Sequence, residues 1–294
     1  MQGILYALVP MIAWGSIGFV SNKIGGEAKQ QTLGMTMGAF VFALVVFLIR
    51  QPQLTLPIFI LGFVAGIIWS IGQSGQFLSM KYMGVSVASP LSAGFQLVLG
   101  GLLGAIVFHE WTTKIQFILG GIAMVLLMIG FYFSSKQDPD KVEKTKSGNM
   151  TKGLIALTYS TIGYVVYVIL LNNLSGLWFN LKVDTLTIIF PMSIGMMVGA
   201  VLLGGKIKIQ PVVFKNMLVG IMWGIGNVFM LLAASLAGNA IAFSFSQLGV
   251  IISTFCGILF LGEKKTKKEM GYIYIGTVLF VIGAILLGIV KTKG

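Results

Sequence analysis

The sequence predicts an all-α membrane protein with ten transmembrane helices, arranged as two inverted five-helix repeats. Three observations carry that expectation. Cutting the 294-residue chain at every Asp, Glu, Lys, Arg and His leaves nine uncharged runs of 20 residues or more. Matching blocks recur at a near-constant offset in the two halves. The basic residues then sort unevenly between the two sides that ten spans would create.

The runs cover 1–22, 30–49, 51–80, 82–108, 115–135, 153–181, 185–205, 216–262 and 270–290. About 20 apolar residues cross a bilayer as a helix, so each run is long enough. With 56% hydrophobic and 10% charged residues, the chain lies outside soluble globular usage. The first run reads as a span and not as a cleaved signal, because no Lys or Arg precedes it and no small-residue cleavage site follows. Runs two to five give spans two to five. The fourth contains Pro90, which loosens its backbone. After the fifth comes "SSKQDPDKVEKTKSGNMTK", polar and without apolar periodicity, which reads as a cytoplasmic linker. Its "NMT" at Asn149 is a chance glycosylation triplet in that location. Runs six and seven give one span each. The run 216–262 holds two, because "LAGNA" at Leu236–Ala240 is a natural turn. The last run is span ten. The domains are therefore a first repeat at 1–133, a linker at 134–152 and a second repeat at 153–294.

The halves look related. Gly66/Gly220, Trp69/Trp223, Gly72/Gly226, Gln73/Asn227 and Pro57/Pro211 are each 154 residues apart. "GILYALVPMIAW" aligns with "GLIALTYSTIGY" at an offset of 150, bringing Trp14 over Tyr164. "FHEWTTK" aligns with "LGEKKTK", bringing Glu110 over Glu263. Five spans per half put the copies in opposite orientations, a recurrent transporter plan with the site at the repeat interface.

Net charge is +12, and topology accounts for it without nucleic acid. One side carries Arg50, Lys114, Lys182, Lys291 and Lys293, 5 in all, and the other carries the remaining 15. The positive-inside rule makes the richer side cytoplasmic, so both termini are expected outside the cytoplasmic membrane. The single cysteine, Cys256, excludes an internal disulfide and a Cys-cluster metal site, and reads as packing. No cofactor or metal is expected.

Polar side chains stand out inside the spans. In "GIIWSIGQSGQFLSM", Trp69, Gln73 and Gln76 share a helical stripe with Gly62 and Gly66. An unpaired amide in hydrocarbon costs several kcal/mol, so both glutamines must face protein or a wet cavity. Span four offers Ser89, Ser92 and Gln96 at i, i+3 and i+7. Span eight offers Trp223 and Asn227. Span nine offers Ser244, Ser246 and Gln247. Interhelical glue explains a single amide, at about 0.6–2 kcal/mol per bond. Repeat-related amides accompanied by tryptophans are better explained by a cavity. Trp111 and Trp178, near span ends, read as interfacial anchors. "GMMVGAVLLGG" and "LVLGGLLGA" read as helix-packing faces. No Lys, Arg, Asp or Glu lies mid-span, which argues against phosphorylated, carboxylated or cationic solutes and leaves a neutral polar class. His109 beside Glu110 lacks a nucleophile partner, metal-ligand spacing or a phosphate loop, so an enzyme is not expected.

The five-plus-five plan and the "GE"-like span ends resemble the drug/metabolite transporter superfamily. "ALVPMIAWGSIGFVSNKIGG", "GIIWSIGQSGQFLSMKYMGVSVASPLSAGFQLV" and "FHEW" are similar to its bacterial glucose/ribose-type sugar uptake proteins, over essentially the whole chain. "FHEW" departs from the "LGE" of the wider superfamily, which "LGEKKT" keeps. The resemblance implies uptake of a neutral monosaccharide, glucose most readily, by proton symport. The residue chemistry agrees: amides meet vicinal hydroxyls, and aromatic rings meet the apolar faces of a pyranose. The expected substrate contacts are Trp14, Trp69, Gln73, Gln76, Ser92, Gln96, Tyr164, Tyr167, Trp223, Asn227, Ser246 and Gln247. Glu110 with His109 is the expected proton-coupling group. Glu263, beside Lys264 and Lys265, is expected to be a cytoplasmic ion-pair residue. An exporter or facilitator of another small neutral metabolite is the alternative.

Overall fold

The computed structural model of the chain describes residues 2–107, 109, 111–138, 150–171 and 184–292, with backbone alone at 239–241, 244 and 291–292. Among these residues the regular structure is helical and no strand occurs. The helices are α1 (Gln2–Ile24), α2 (Ala28–Arg50), α3 (Leu56–Met83), α4 (Val85–Ile106), α5 (Lys114–Ser135) and α6 (Met150–Ile169). They continue with α7 (Thr185–Gly204), α8 (Pro211–Lys215), α9 (Met217–Ala237), α10 (Asn239–Gln247), α11 (Gly249–Phe260) and α12 (Lys267–Thr292). Glu110, Asn149 and Trp178, and the side chain of Ser244, lie outside the described residues.

Nine stretches among the described residues are long and apolar enough to cross a membrane: α1 to α7, Pro211–Ala237 and Lys267–Val290. Their outer faces are as greasy as their cores. On α5, Ile118, Ile122, Val125, Ile129 and Tyr132 recur at three- and four-residue spacing, and all are exposed. Gly120, Ala123, Met124, Leu127 and Phe131 line its buried face. A soluble monomer does not display such stripes on helix after helix, whereas lipid is their natural solvent. The protein is a multi-pass membrane protein.

The turn read at Leu236–Ala240 is a break at Gly238, whose φ of 87° favours glycine. Where the ninth span is expected, a shorter apolar stretch, Phe245–Phe260, is broken into α10 and α11. The cause is local tightening: Leu248 N–H donates to Phe245 O at 3.0 Å, and Ile251 N–H to Leu248 O at 3.0 Å. Beside the break, a methyl group on Gly249 would stand 2.8 Å from Met11 O, so α1 runs hard against the start of α11.

Helix starts show how local chemistry sets the elements. Thr113 and Gln116 form a reciprocal capping box on α5. Asp184 accepts from Thr187 N–H at 3.0 Å and from its hydroxyl at 2.9 Å, fixing the first turn of α7. α4 begins after Gly84, which has no side chain to cap it (φ 82°). The Glu263 carboxylate fills that role from beyond the end of α11, accepting from Val85 N–H at 2.5 Å, from Ser86 N–H at 3.1 Å and from the Ser86 hydroxyl. Glu263 is thus a helix cap in place of the expected ion-pair residue, because four free amides at a helix N-terminus attract a carboxylate.

The chain divides into two compact units. Unit 1 comprises Met1–Phe19, Ser79–Ile155 and Phe229–Gly294, and unit 2 comprises Val20–Leu78 and Ala156–Val228. The cuts fall inside α1, α3, α6 and α9, so each unit draws on both halves of the sequence. In unit 1, α5 packs along α12, and α4 packs on α5 and α11. Ser253 donates to Ser89 at 2.6 Å across the α4–α11 seam. In unit 2, α2 packs on α7 and α8. A methyl group on Gly66 of α3 would stand 2.0 Å from Met192 O of α7, and one on Gly220 of α9 would stand 1.9 Å from Met35 O of α2. Both contacts need glycine, since only bare backbone fits.

Candidate functional site

Unit 2 gathers seven of the sequence-derived candidates: Trp69, Gln73, Gln76, Tyr164, Tyr167, Trp223 and Asn227. α3 and α6 meet so closely that a methyl group on Gly72 would stand 2.7 Å from the Tyr164 ring. Ser160 of α6 donates to Gly72 O at 2.6 Å and fixes this register. The Tyr164 hydroxyl therefore lies 2.7 Å from Gln73 Oε1 and 3.0 Å from Gln76 Oε1. With one proton to donate, it serves both acceptors as a shared bond. Gln73 Nε2 adds a longer contact of 3.4 Å to Gln76 Oε1. Gln73 and Trp69 are each 2% exposed. These amides are occupied by protein, as a buried polar group must be.

An aromatic chain runs beside them. The Trp223 and Trp69 rings are 5.5 Å apart, Trp69 and Tyr164 6.1 Å, and Tyr164 and Tyr167 6.2 Å. Separations of about 4.5–7 Å with tilted planes are the favoured aromatic geometry.

Next to this chain is a cavity of about 180 Å³. Tyr167 and Leu171 form one wall, Thr185, Ile188 and Met192 of α7 another, and Trp223 and Asn227 of α9 the third. The volume lies below the ~300–1,000 Å³ typical of drug-sized sites, so it suits a smaller occupant. Among the described residues, no charged side chain lines it. Asn227 Nδ2 donates back to Trp223 O at 2.8 Å, which leaves its Oδ1 and second N–H without a partner among the described residues. The Tyr167 hydroxyl likewise has no hydrogen-bond partner among them. The wall formed by α7 escaped the sequence reading. Its signal was available: Thr185, Ile188, Ile189 and Met192 follow i, i+3, i+4 and i+7, one helical face with a hydroxyl at its end.

The other candidates lie in unit 1. Gln96 Nε2 donates back to its own helix, to Ser92 O at 3.1 Å and to the Ser92 hydroxyl at 3.0 Å. Ser92 is fully buried. Ser246 donates to Phe243 O at 2.8 Å, and Gln247 Nε2 approaches the Ser246 hydroxyl at 3.4 Å. Trp14 is half-buried. His109 is exposed, with a φ of 52°. Trp111 packs edge-on against Phe117 of α5 at 5.7 Å.

Comparisons with known proteins agree over the whole chain. The family model described as "Sugar transport protein" matches residues 5–290. The "Putative sugar uptake protein YxfA" of Lactococcus lactis subsp. lactis is 70% identical over 100% of both chains. The "Putative sugar uptake protein M6_Spy1874" of Streptococcus pyogenes serotype M6 is 59% identical over 99% of this chain and 100% of its own. A solved chain described as "Crystal structure of protein" aligns with a TM-score of 0.61 at 13% identity, covering 99% of this chain and 98% of that one. That likeness shows a shared fold alone. The extent of the family match and the full-length relatives together establish that the chain belongs to the sugar transport protein family.

Proposed function

We propose that this chain is a secondary transporter for uptake of a neutral monosaccharide, most readily glucose, by proton symport with alternating access. The observation that carries the reading is the small uncharged cavity in unit 2, with Trp223 as an apolar plate and the free Asn227 carbonyl and Tyr167 hydroxyl at its edge. A pyranose needs those elements together. A phosphorylated sugar would need a cation there. The sugar uptake names carried by full-length relatives support the same class.

The proposed contacts in unit 2 are Tyr167, Trp223 and Asn227, with Trp69, Gln73, Gln76 and Tyr164 behind or beside them. Trp14, Ser92, Gln96, Ser246 and Gln247 are proposed contacts from unit 1. The proposed architecture is ten spans in two inverted repeats, 1–133 and 153–294, joined by the linker 134–152. Repeat-mates behaving alike support it. Gly66 and Gly220 each allow one close helix crossing. Gly84 and Gly238, also 154 residues apart, both precede a helix with φ near +85° (82° and 87°). Rocking one repeat against the other would alternate access. The 15-to-5 distribution of Lys and Arg supports a cytoplasmic linker and extracellular termini.

Glu110 with His109 is the proposed coupling pair, because a symporter needs a titrating group and the spans hold none at mid-depth. That same scarcity favours a second reading, a facilitator or exporter of a small neutral metabolite. Reconstituted protein in liposomes separates the two. The parent should accumulate radiolabelled glucose under an inward proton gradient. Glu110→Gln should abolish accumulation and preserve exchange between equal pools. A parent that only equilibrates glucose, whatever the gradient, is a facilitator. A parent that moves no sugar in either assay refutes the sugar reading itself.

A further inference from the structure

The cavity wall contributed by α7 ends in a hydroxyl that helix capping does not use. Thr185 is the first residue of α7, and Asp184 in front of it spends its carboxylate on the Thr187 amide and hydroxyl. The first turn is therefore held in place. The Thr185 side chain lines the cavity and has no hydrogen-bond partner among the described residues. Three, four and seven residues further along the same face, Ile188, Ile189 and Met192 are wholly apolar. Among the described lining residues, polar contacts to an occupant thus come from the α9 wall at Asn227, the α6 wall at Tyr167, and the α7 wall at Thr185.

We propose that Thr185 is a specificity-determining residue, which reads one hydroxyl of the neutral sugar while Asn227 and Trp223 hold its ring from the opposite helix. The inference rests on the sugar reading above and adds to it a contact on a third helix. The physical reason is selectivity by hydroxyl position. Asn227 and Trp223 share one helix, one turn apart, and fix the ring from one direction. A contact from α7 makes binding depend on a hydroxyl elsewhere on the ring. A single threonine can donate and accept there, whereas the isoleucine and methionine beyond it would leave that hydroxyl unpaired.

The test uses full-length protein in liposomes, with glucose and each of its monodeoxy analogues competing for exchange of labelled glucose. Thr185→Val keeps the shape and removes the hydroxyl, and Thr185→Ser restores it on a smaller side chain. The expected result is that Thr185→Val raises the half-saturation concentration for glucose about 3- to 10-fold, the effect of one net hydrogen bond. For one monodeoxy analogue it should change nothing, since the partner hydroxyl is already absent. Thr185→Ser should recover most of the parent's affinity, and melting temperatures should stay parental because the residue is half-exposed in a capped first turn. If Thr185→Val matches the parent for every analogue while the parent exchanges glucose, Thr185 reads nothing and the sugar reading survives. An equal loss for all analogues, glucose included, also overturns the proposal, because it would mark a general disturbance of the first turn. No exchange by the parent with any sugar removes both readings together.

Discussion

Two amides 154 residues apart meet different fates, and the contrast is between an occupied amide and a free one. Gln73 of α3 is buried and held across to α6 by Tyr164 at 2.7 Å. Asn227 of α9, its mate at an offset of 154, folds one N–H back onto its own helix and keeps its carbonyl free beside a cavity. The same comparison extends to the two units. In unit 1, polar bonds between segments include Glu263–Ser86, Ser89–Ser253 and Gln116–Val290, while Gln96, Ser246 and Gln247 bond within their own segments. A glutamine in an apolar span is therefore not a ligand group by composition alone. What it donates to and accepts from decides whether it holds helices or holds a solute.

Substitutions can break that contrast. The largest effect on the scaffold is expected at Tyr164→Phe, which strips the amide oxygens of buried Gln73 and half-buried Gln76 of their shared donor. The cost should be about 1–3 kcal/mol, seen as a lower melting temperature in detergent. Sugar affinity should fall less than stability does, because the Trp69–Trp223 pair is untouched. A melting temperature equal to the parent's would mean that the Tyr164 network carries no load. A smaller effect is expected at Glu263→Ala in unit 1, about 0.5–2 kcal/mol for a lost helix cap. That variant should bind sugar with parental affinity while exchange slows, since the α4 start loosens and the cavity in unit 2 is unaltered. If Glu263→Ala changed affinity and left melting unchanged, its carboxylate would belong to the site and the cap reading would fail.

The sequence disclosed local features well and tertiary ones poorly. Apolar runs between charges located the nine long stretches, since a bilayer imposes length and composition on each segment separately. Gly238 was legible as a turn for the same reason. The Trp69–Gln73–Gln76 stripe was legible because its spacing lies within one helix. The Glu263 cap was not, since its partner is Ser86, 177 residues away, and nothing near "LGEKKT" announces a bare helix start at Gly84. The lysines beside it suggested a nearer partner. The split between α10 and α11 was hidden because "FSFSQLG" has ordinary helical composition. The α7 face could have been found by its spacing. Its apolar members looked like packing, and only the cavity distinguishes a lining isoleucine from a buried one.

The central claim is that a neutral sugar is held more by the free amide of Asn227 than by the occupied amide of Gln73. The most direct measurement is the half-saturation concentration for equilibrium exchange of labelled glucose in liposomes, compared among the parent, Asn227→Ala and Gln73→Ala, each with its melting temperature. The account predicts that Asn227→Ala loses about 5- to 150-fold in affinity, or roughly 1–3 kcal/mol, at a parental melting temperature. Gln73→Ala should lose stability first and affinity by a smaller factor. Parental affinity in Asn227→Ala, with the main loss at a fully stable Gln73→Ala, would contradict it.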